Sequence, residues 1–98
     1  FVQGHVDTTS VIKRIDFIGN SWFIGFKLLK KYNKYLVQKG SITINGVSLT
    51  ISKILRDGFQ VVVIPQTLKL TNLIYLKEKD VINVEFDVLG KYIKSFLK

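Results

Sequence analysis

The chain has 98 residues, with fifteen lysines and arginines against seven aspartates and glutamates (net charge +8), one histidine and no cysteine. That length supports one hydrophobic core and not two. The absent cysteines exclude disulfides, thiolate nucleophiles and cysteine-held metal, and a lone histidine excludes an all-histidine site within the chain, so no metal and no cofactor is expected.

No run approaches the roughly 18 to 20 apolar residues of a membrane span, and no signal peptide opens the chain. The expectation is a soluble, cytoplasmic protein with no membrane partner. With no methionine anywhere and Phe1 in first place, the sequence is expected to be a fragment, a processed chain or an excised domain.

In chain order, an opening strand precedes two β-branched and aromatic runs, 11–18 and 22–28, joined at Gly19-Asn20. Residues 30–37 read as a short helix. Ser41-Ile42-Thr43-Ile44 alternates polar and apolar, Asn45-Gly46 supplies the positive-φ pair of a tight hairpin, and Val47-Ser48-Leu49-Thr50-Ile51-Ser52 alternates again. That alternation sets Ser48, Thr50 and Ser52 on one face and Val47, Leu49 and Ile51 on the core face. Arg56-Asp57-Gly58 reads as a turn into the run 59–64, which stops at Pro65, the only proline. Residues 66–72 are expected to form one helical turn behind that proline, and 81–88 the last strand.

From there Leu89, Tyr92, Ile93, Phe96 and Leu97 recur at helical spacing on one face, predicting a C-terminal helix. Such a stripe has to pack on something, either its own barrel or other copies. No internal repeat, linker or low-complexity segment is legible. About six short strands with few helices favour an all-β fold, a six-stranded antiparallel Greek-key barrel with short helices. The barrel would span 1–88 and the helix 89–98.

Several residues invite a chemical reading beside a plainer one. Ser48 follows a hairpin on a polar strand face, and from spacing alone it is an exposed strand serine, with no Gly-x-Ser-x-Gly elbow around it. Asp87 interrupts an apolar strand, but it shares parity with Glu85 and Asn83 on what reads as the wet face. His5, in Gly-His-Val-Asp, suits a structural or ligand-orienting role better than general acid–base work. Pro65 frees strand-end amides and carbonyls that suit a flat heterocycle with an amide-like edge; equally, any strand can end at proline. Lys39 is by default a surface lysine.

Taken together, Gly46-Val47-Ser48-Leu49-Thr50, Val63-Ile64-Pro65-Gln66-Thr67-Leu68, Val84-Glu85-Phe86-Asp87 and the opening Val2-Gln3-Gly4-His5-Val6-Asp7 resemble, almost end to end, the C-terminal barrel of riboflavin synthases. In that family the N-terminal barrel usually carries cysteine where Ser48 stands, and these residues are expected to be one barrel of the two, without the N-terminal one. The resemblance implies a dismutation of two 6,7-dimethyl-8-ribityllumazine molecules, giving riboflavin and 5-amino-6-(ribitylamino)uracil, without metal or organic cofactor. It implies Ser48, Asp87 and His5 as catalytic candidates. It also implies a substrate pocket of Gly4, His5, Val6, Lys39, Ser48, Leu49, Thr50, Val62, Val63, Ile64, Pro65, Gln66 and Thr67. As partners it implies the N-terminal barrel of a neighbouring subunit in a homotrimer, held in part by the helix at 89–98.

Two other functions fit parts of the chain. A non-catalytic lumazine- or flavin-binding protein uses the same double barrel. A basic barrel for single-stranded nucleic acid draws support from the +8 charge and from Tyr32, Tyr35, Tyr75 and Phe59, although the lysines are spread through the chain, with Lys27, Lys30, Lys31, Lys34 and Lys39 the densest group. Nucleic acid gives no reason for this ordered set of motifs, so no nucleic-acid partner is expected.

Overall fold

A computed structural model describes residues 6–87. Six strands, β1 (Thr8–Ile18), β2 (Ser21–Lys27), β3 (Ser41–Ile44), β4 (Val47–Leu55), β5 (Gly58–Val63) and β6 (Val81–Phe86), close into a barrel in the order β1-β2-β5-β4-β3-β6. Each neighbouring pair is antiparallel. The connections β2 to β3 and β5 to β6 each skip two strands, which makes the barrel a Greek key and leaves it without an open edge. The fold expected from the strand pattern is the fold observed.

Alternation decides what fills the barrel. Ile42 and Ile44, Leu49 and Ile51, Phe59, Val61 and Val63, and Ile82, Val84 and Phe86 are all buried, while Ser48 and Thr50 face out. Phe26 and Phe59 stack at 4.9 Å in the middle. With the interior packed by side chains, a ligand has to bind on the outer wall or between strands.

The helical expectations need adjusting. Residues 30–37 form a 3₁₀ turn, Lys30–Tyr35, because Tyr32 and Tyr35, three apart, both cover Phe86, at 5.6 and 5.2 Å. The turn after Pro65 is a short helix, α1 (Pro65–Leu70), followed by a second 3₁₀ turn, Asn72–Tyr75, that the sequence did not announce. β1 begins at Thr8 and runs on through the strand expected at 11–18, with the described Val6 and Asp7 ahead of it outside any strand; residues 1–5, Val88 and the helix expected at 89–98 lie outside the described residues. Among the described residues no helix is long and apolar enough to cross a membrane.

The turn expected at Arg56-Asp57-Gly58 is present at Arg56 and Asp57, and Gly58, which closes it opposite Leu55, has a second constraint. Gly58 opens β5, fully paired, and a Cβ there would stand 1.8 Å from the Phe26 carbonyl oxygen. Close approach of β2 demands glycine at this position, not a positive φ. Asn45 and Gly46, by contrast, have φ of 48° and 84°, as the hairpin between β3 and β4 requires.

The sequence shows no internal repeat, yet the fold has one. The Lys39 N–H donates to the Ile51 carbonyl and the Ile51 N–H to that of Gly40, at 2.8 and 2.9 Å. In the other half the Lys79 N–H donates to Ile12 and the Ile12 N–H to Asp80, at the same two distances. Lys39 and Lys79 share a positive φ, 67° and 75°, and both β1 and β4 bulge just beyond the contact, between Ile12 and Arg14 and between Ile51 and Lys53. The barrel is therefore two β–β–turn–β halves related by an approximate two-fold axis, with β1, β2 and β3 matching β4, β5 and β6.

Candidate functional site

The β4–β5 ladder runs from Leu55↔Gly58 to Ile51↔Val61 and goes no further. Beyond that point each strand is held from its other side. Ser48, Leu49 and Thr50 pair with Thr43, Ile42 and Ser41 of β3, and Val62 and Val63 pair with Phe23 and Trp22 of β2. Two backed strands thus part and leave a cleft of about 340 Å³, lined by Ser48, Leu49, Thr50, Val62, Val63, Ile64 and Thr67.

Strand geometry says which backbone groups face it. Both the N–H and C=O of Ile51 are used on the β3 side, by Gly40 and Lys39, so those of its neighbour Thr50 point toward β5. The Gln60 carbonyl accepts from Ser52 Oγ of β4 at 3.1 Å, so two residues on the groups of Val62 point toward β4. The amides of Thr50 and Val62 therefore face each other across an opening where a ladder pair would otherwise stand. Such an opening accepts a flat ligand whose edge alternates donor and acceptor, as a strand's does.

Burial supplies the rest of the site. Leu49 and Val63 make an apolar floor, while Ser48, Thr50 and Ile64 stand exposed at the rim. Thr67 projects from α1, which begins where Pro65 takes the chain out of the sheet. Thr71 fixes the helix: its hydroxyl donates to the Thr67 carbonyl at 2.7 Å and accepts from the Leu73 N–H at 3.3 Å.

Seven of the residues named from the sequence thus meet in one cleft. Pro65 and Gln66 adjoin it in α1, whereas Lys39 and Val6, both exposed, are not among its lining; Gly4 and His5 lie outside the described residues. Asp87 directly follows β6 and is half-buried. Glu85 pairs with Thr43 and Thr43 with Ser48, so Ser48 lies two strand spacings, about 10 Å, from the Glu85–Asp87 edge. Ser48 and Asp87 would therefore act on different atoms of a ligand rather than on each other.

Sequence reasoning gave Asp7 and Thr71 no role. The Asp7 N–H donates to the Val84 carbonyl at 2.9 Å and its carboxylate accepts from the Phe86 N–H at 2.8 Å, tying the segment that carries Val6 to the end of β6 beside Asp87. A threonine near the end of the predicted helical turn, where a second turn could be capped, was the available signal for Thr71.

The four aromatics proposed for nucleic acid do not assemble into a stacking platform. Phe59 is fully buried, Tyr32 and Tyr35 lie against Phe86, and Tyr75 alone stands open. Among the described residues no group of three His, Cys, Asp or Glu side chains is placed to hold a metal ion.

The fold and its cleft define a class. The profile of the lumazine-binding domain matches residues 3–87, and the chain belongs to that family. It is 43% identical over 96 residues to riboflavin synthase of Actinobacillus pleuropneumoniae and 41% identical over 100 residues to that of Bacillus subtilis. These matches take in 98% and 99% of the chain but 45% of each enzyme, so the chain spans about half the length of the curated relatives it matches. Among solved structures, LumP complexed with 6,7-dimethyl-8-(1'-D-ribityl) lumazine superposes with a TM-score of 0.77 at 23% identity, over 88% of this chain and 47% of that one; it shares the barrel.

Proposed function

We propose that the β4–β5 cleft binds the ring system of 6,7-dimethyl-8-ribityllumazine or riboflavin, and that the chain is the C-terminal barrel of a riboflavin synthase. The observation that carries the binding is the parted ladder. The facing amides of Thr50 and Val62 match the alternating N–H and C=O edge of a pyrimidinedione, and Leu49 and Val63 offer an apolar floor for the ring face.

The reaction is redox-neutral. One lumazine loses a proton from its C7 methyl, the carbanion adds to the second, and a four-carbon unit passes across; two lumazines become one riboflavin and one 5-amino-6-(ribitylamino)uracil. Holding two rings face to face supplies much of the acceleration. The protein adds proton transfer and hydrogen bonding, for which Ser48 at the rim, Asp87 at the end of β6 and His5 are the candidates. One barrel carries half of such a site. The other half would come from the N-terminal barrel of a neighbouring subunit, within a cytoplasmic homotrimer held in part by the 89–98 segment.

Fluorescence titration of the chain with 6,7-dimethyl-8-ribityllumazine tests the binding, and saturable binding below millimolar ligand is expected. Folded protein that does not bind at that concentration overturns the reading. Tight binding joined to no turnover by the full-length protein would replace synthase with a non-catalytic lumazine carrier. Oligonucleotide binding that falls steeply with salt would favour the nucleic-acid reading instead.

A further inference from the structure

The approximate two-fold axis places a second cleft opposite the first, between the start of β1 and the end of β2. It encloses about 330 Å³, against about 340 Å³, and its walls include Ser10, Val11 and Lys27, which occupy the positions of Leu49, Thr50 and Val62. Space alone does not distinguish the two.

Their backbone edges do. In β1–β2 the ladder continues past Ile12↔Phe26 to Val11↔Lys27, whereas in β4–β5 it stops at the matching pair, Ile51↔Val61. Ser10, a buried serine where the other half has leucine, donates its hydroxyl to the Lys27 carbonyl. Leu49 has no donor to offer the Val62 carbonyl. The edge that faces the first cleft is open, and the corresponding edge of the second is already paired.

We infer that the barrel carries two pseudo-equivalent clefts for a flat, amide-edged heterocycle, and that Ser10, bonded to the Lys27 carbonyl, zips one of them shut. One barrel then holds one ring. A ligand entering the second cleft would have to displace the Ser10 hydroxyl and strand it inside the barrel, which weakens binding about tenfold or more. A reaction between two such ligands would need a second barrel facing the first, which gives a physical reason for the two-barrel enzyme. The inference rests on β4–β5 being the ligand cleft.

The decisive comparison is Leu49→Ser against Leu49→Ala. Both remove the same apolar contacts, but only serine gives β4 the donor that β1 has. Leu49→Ser is expected to bind 6,7-dimethyl-8-ribityllumazine at least tenfold more weakly than Leu49→Ala, and equal affinities would overturn the inference. In the other cleft, Ser10→Ala should speed amide hydrogen exchange at Val11 and Lys27 by tenfold or more and raise the stoichiometry toward two rings per barrel, while Ser10→Thr, which keeps the hydroxyl, restores the slow exchange. Unchanged exchange in folded Ser10→Ala, or two rings already bound by the native barrel, would refute it. Exchange needs no ligand, so a native protein that binds no lumazine would sink the binding proposal and still leave the role of Ser10 decided by that measurement.

Discussion

Gly58→Ala separates two accounts of the same residue by the sign of the effect. If Gly58 served only as a turn residue, without a positive φ, alanine would reduce the freedom of the unfolded chain and stabilise the protein by about 0.4 to 1 kcal/mol. The barrel says otherwise. A Cβ at Gly58 falls 1.8 Å from the Phe26 carbonyl oxygen, 2.9 Å from its carbonyl carbon and 3.1 Å from the Lys27 Cα, all of them backbone atoms that no rotamer change can move. Relief requires β2 and β5 to separate by about 1 Å or more where Lys27↔Gly58 and Phe26↔Phe59 are paired and the two phenylalanine rings stack. Overpacking that side chains absorb costs about 1 to 3 kcal/mol, and a backbone displacement in a closed barrel should reach or pass the upper figure. Domains of this kind are stable by roughly 5 to 15 kcal/mol, so Gly58→Ala should remove a large share of the total. With a slope of about 1 kcal/mol per molar urea, the unfolding midpoint would fall by about 3 M. Gly19→Ala is the control: its φ of +63° carries a strain of about 1 to 2 kcal/mol, but nothing lies within 4 Å of the added carbon. A Gly58→Ala midpoint equal to or above that of the native chain, or above that of Gly19→Ala, would refute the close-approach argument.

Ser48→Ala and Asp87→Asn, made in the full-length protein, should each lower single-turnover rates by tenfold or more while leaving the barrel folded, since neither side chain is in the packed core; native rates in both would move proton transfer elsewhere. Thr71→Val removes the hydroxyl that joins Thr67 to Leu73 and should cost about 1 kcal/mol in urea unfolding, with weaker lumazine binding because α1 positions Thr67; unchanged affinity would show that α1 needs no such anchor. The Lys13 ammonium, hydrogen-bonded at 2.9 and 3.1 Å, holds the Asp57 carboxyl below its usual range. The charged form is the one the fold favours, so this contribution is present above the unfolded pKa and is lost as pH falls through the depressed folded value. Thermal unfolding of Asp57→Asn should accordingly fall less between about pH 4 and pH 2 than that of the native chain, by a small margin because both groups are exposed, and parallel curves would count against it.

What could be read from sequence was what neighbouring residues decide between themselves. The Asn45-Gly46 hairpin, the alternation that turns Ser48 and Thr50 outward, and the stop at Pro65 are local events, and they stand where the pattern put them. The turn at Arg56-Asp57 is local and stands too, but the close approach that makes Gly58 obligatory lies in β2, some thirty residues away in sequence. The 3₁₀ turn Asn72–Tyr75 went unseen because Thr71 caps it through a hydroxyl already bonded to Thr67, a tertiary arrangement with only a weak sequence mark. The internal two-fold left almost no trace for a related reason. Equivalent positions share a direction and a pairing role more often than a side chain: Ile12 matches Ile51 and Lys39 matches Lys79, but Ser10 answers Leu49 and Lys27 answers Val62.

The site itself was half legible on the same grounds. Residues of β4 and β5 were named, yet nothing in either segment says that the two would part between them. The parting has two visible causes. Ser52 bulges out of β4, its hydroxyl bonded at 3.1 Å to both the carbonyl and the side-chain oxygen of Gln60, and this bend turns the preceding residues away from β5. Pro65 then ends β5 and sends the chain into α1, so no further β5 residue can draw the strands back together. In β1 the bulge at Lys13 is pinned as well, by Asp57, but there Ser10 and the Val11↔Lys27 pair close what the bend would open. A bulge therefore makes a cleft possible in both halves, and the residue two places before Ile12 or Ile51 decides whether its backbone edge stays free for a ligand.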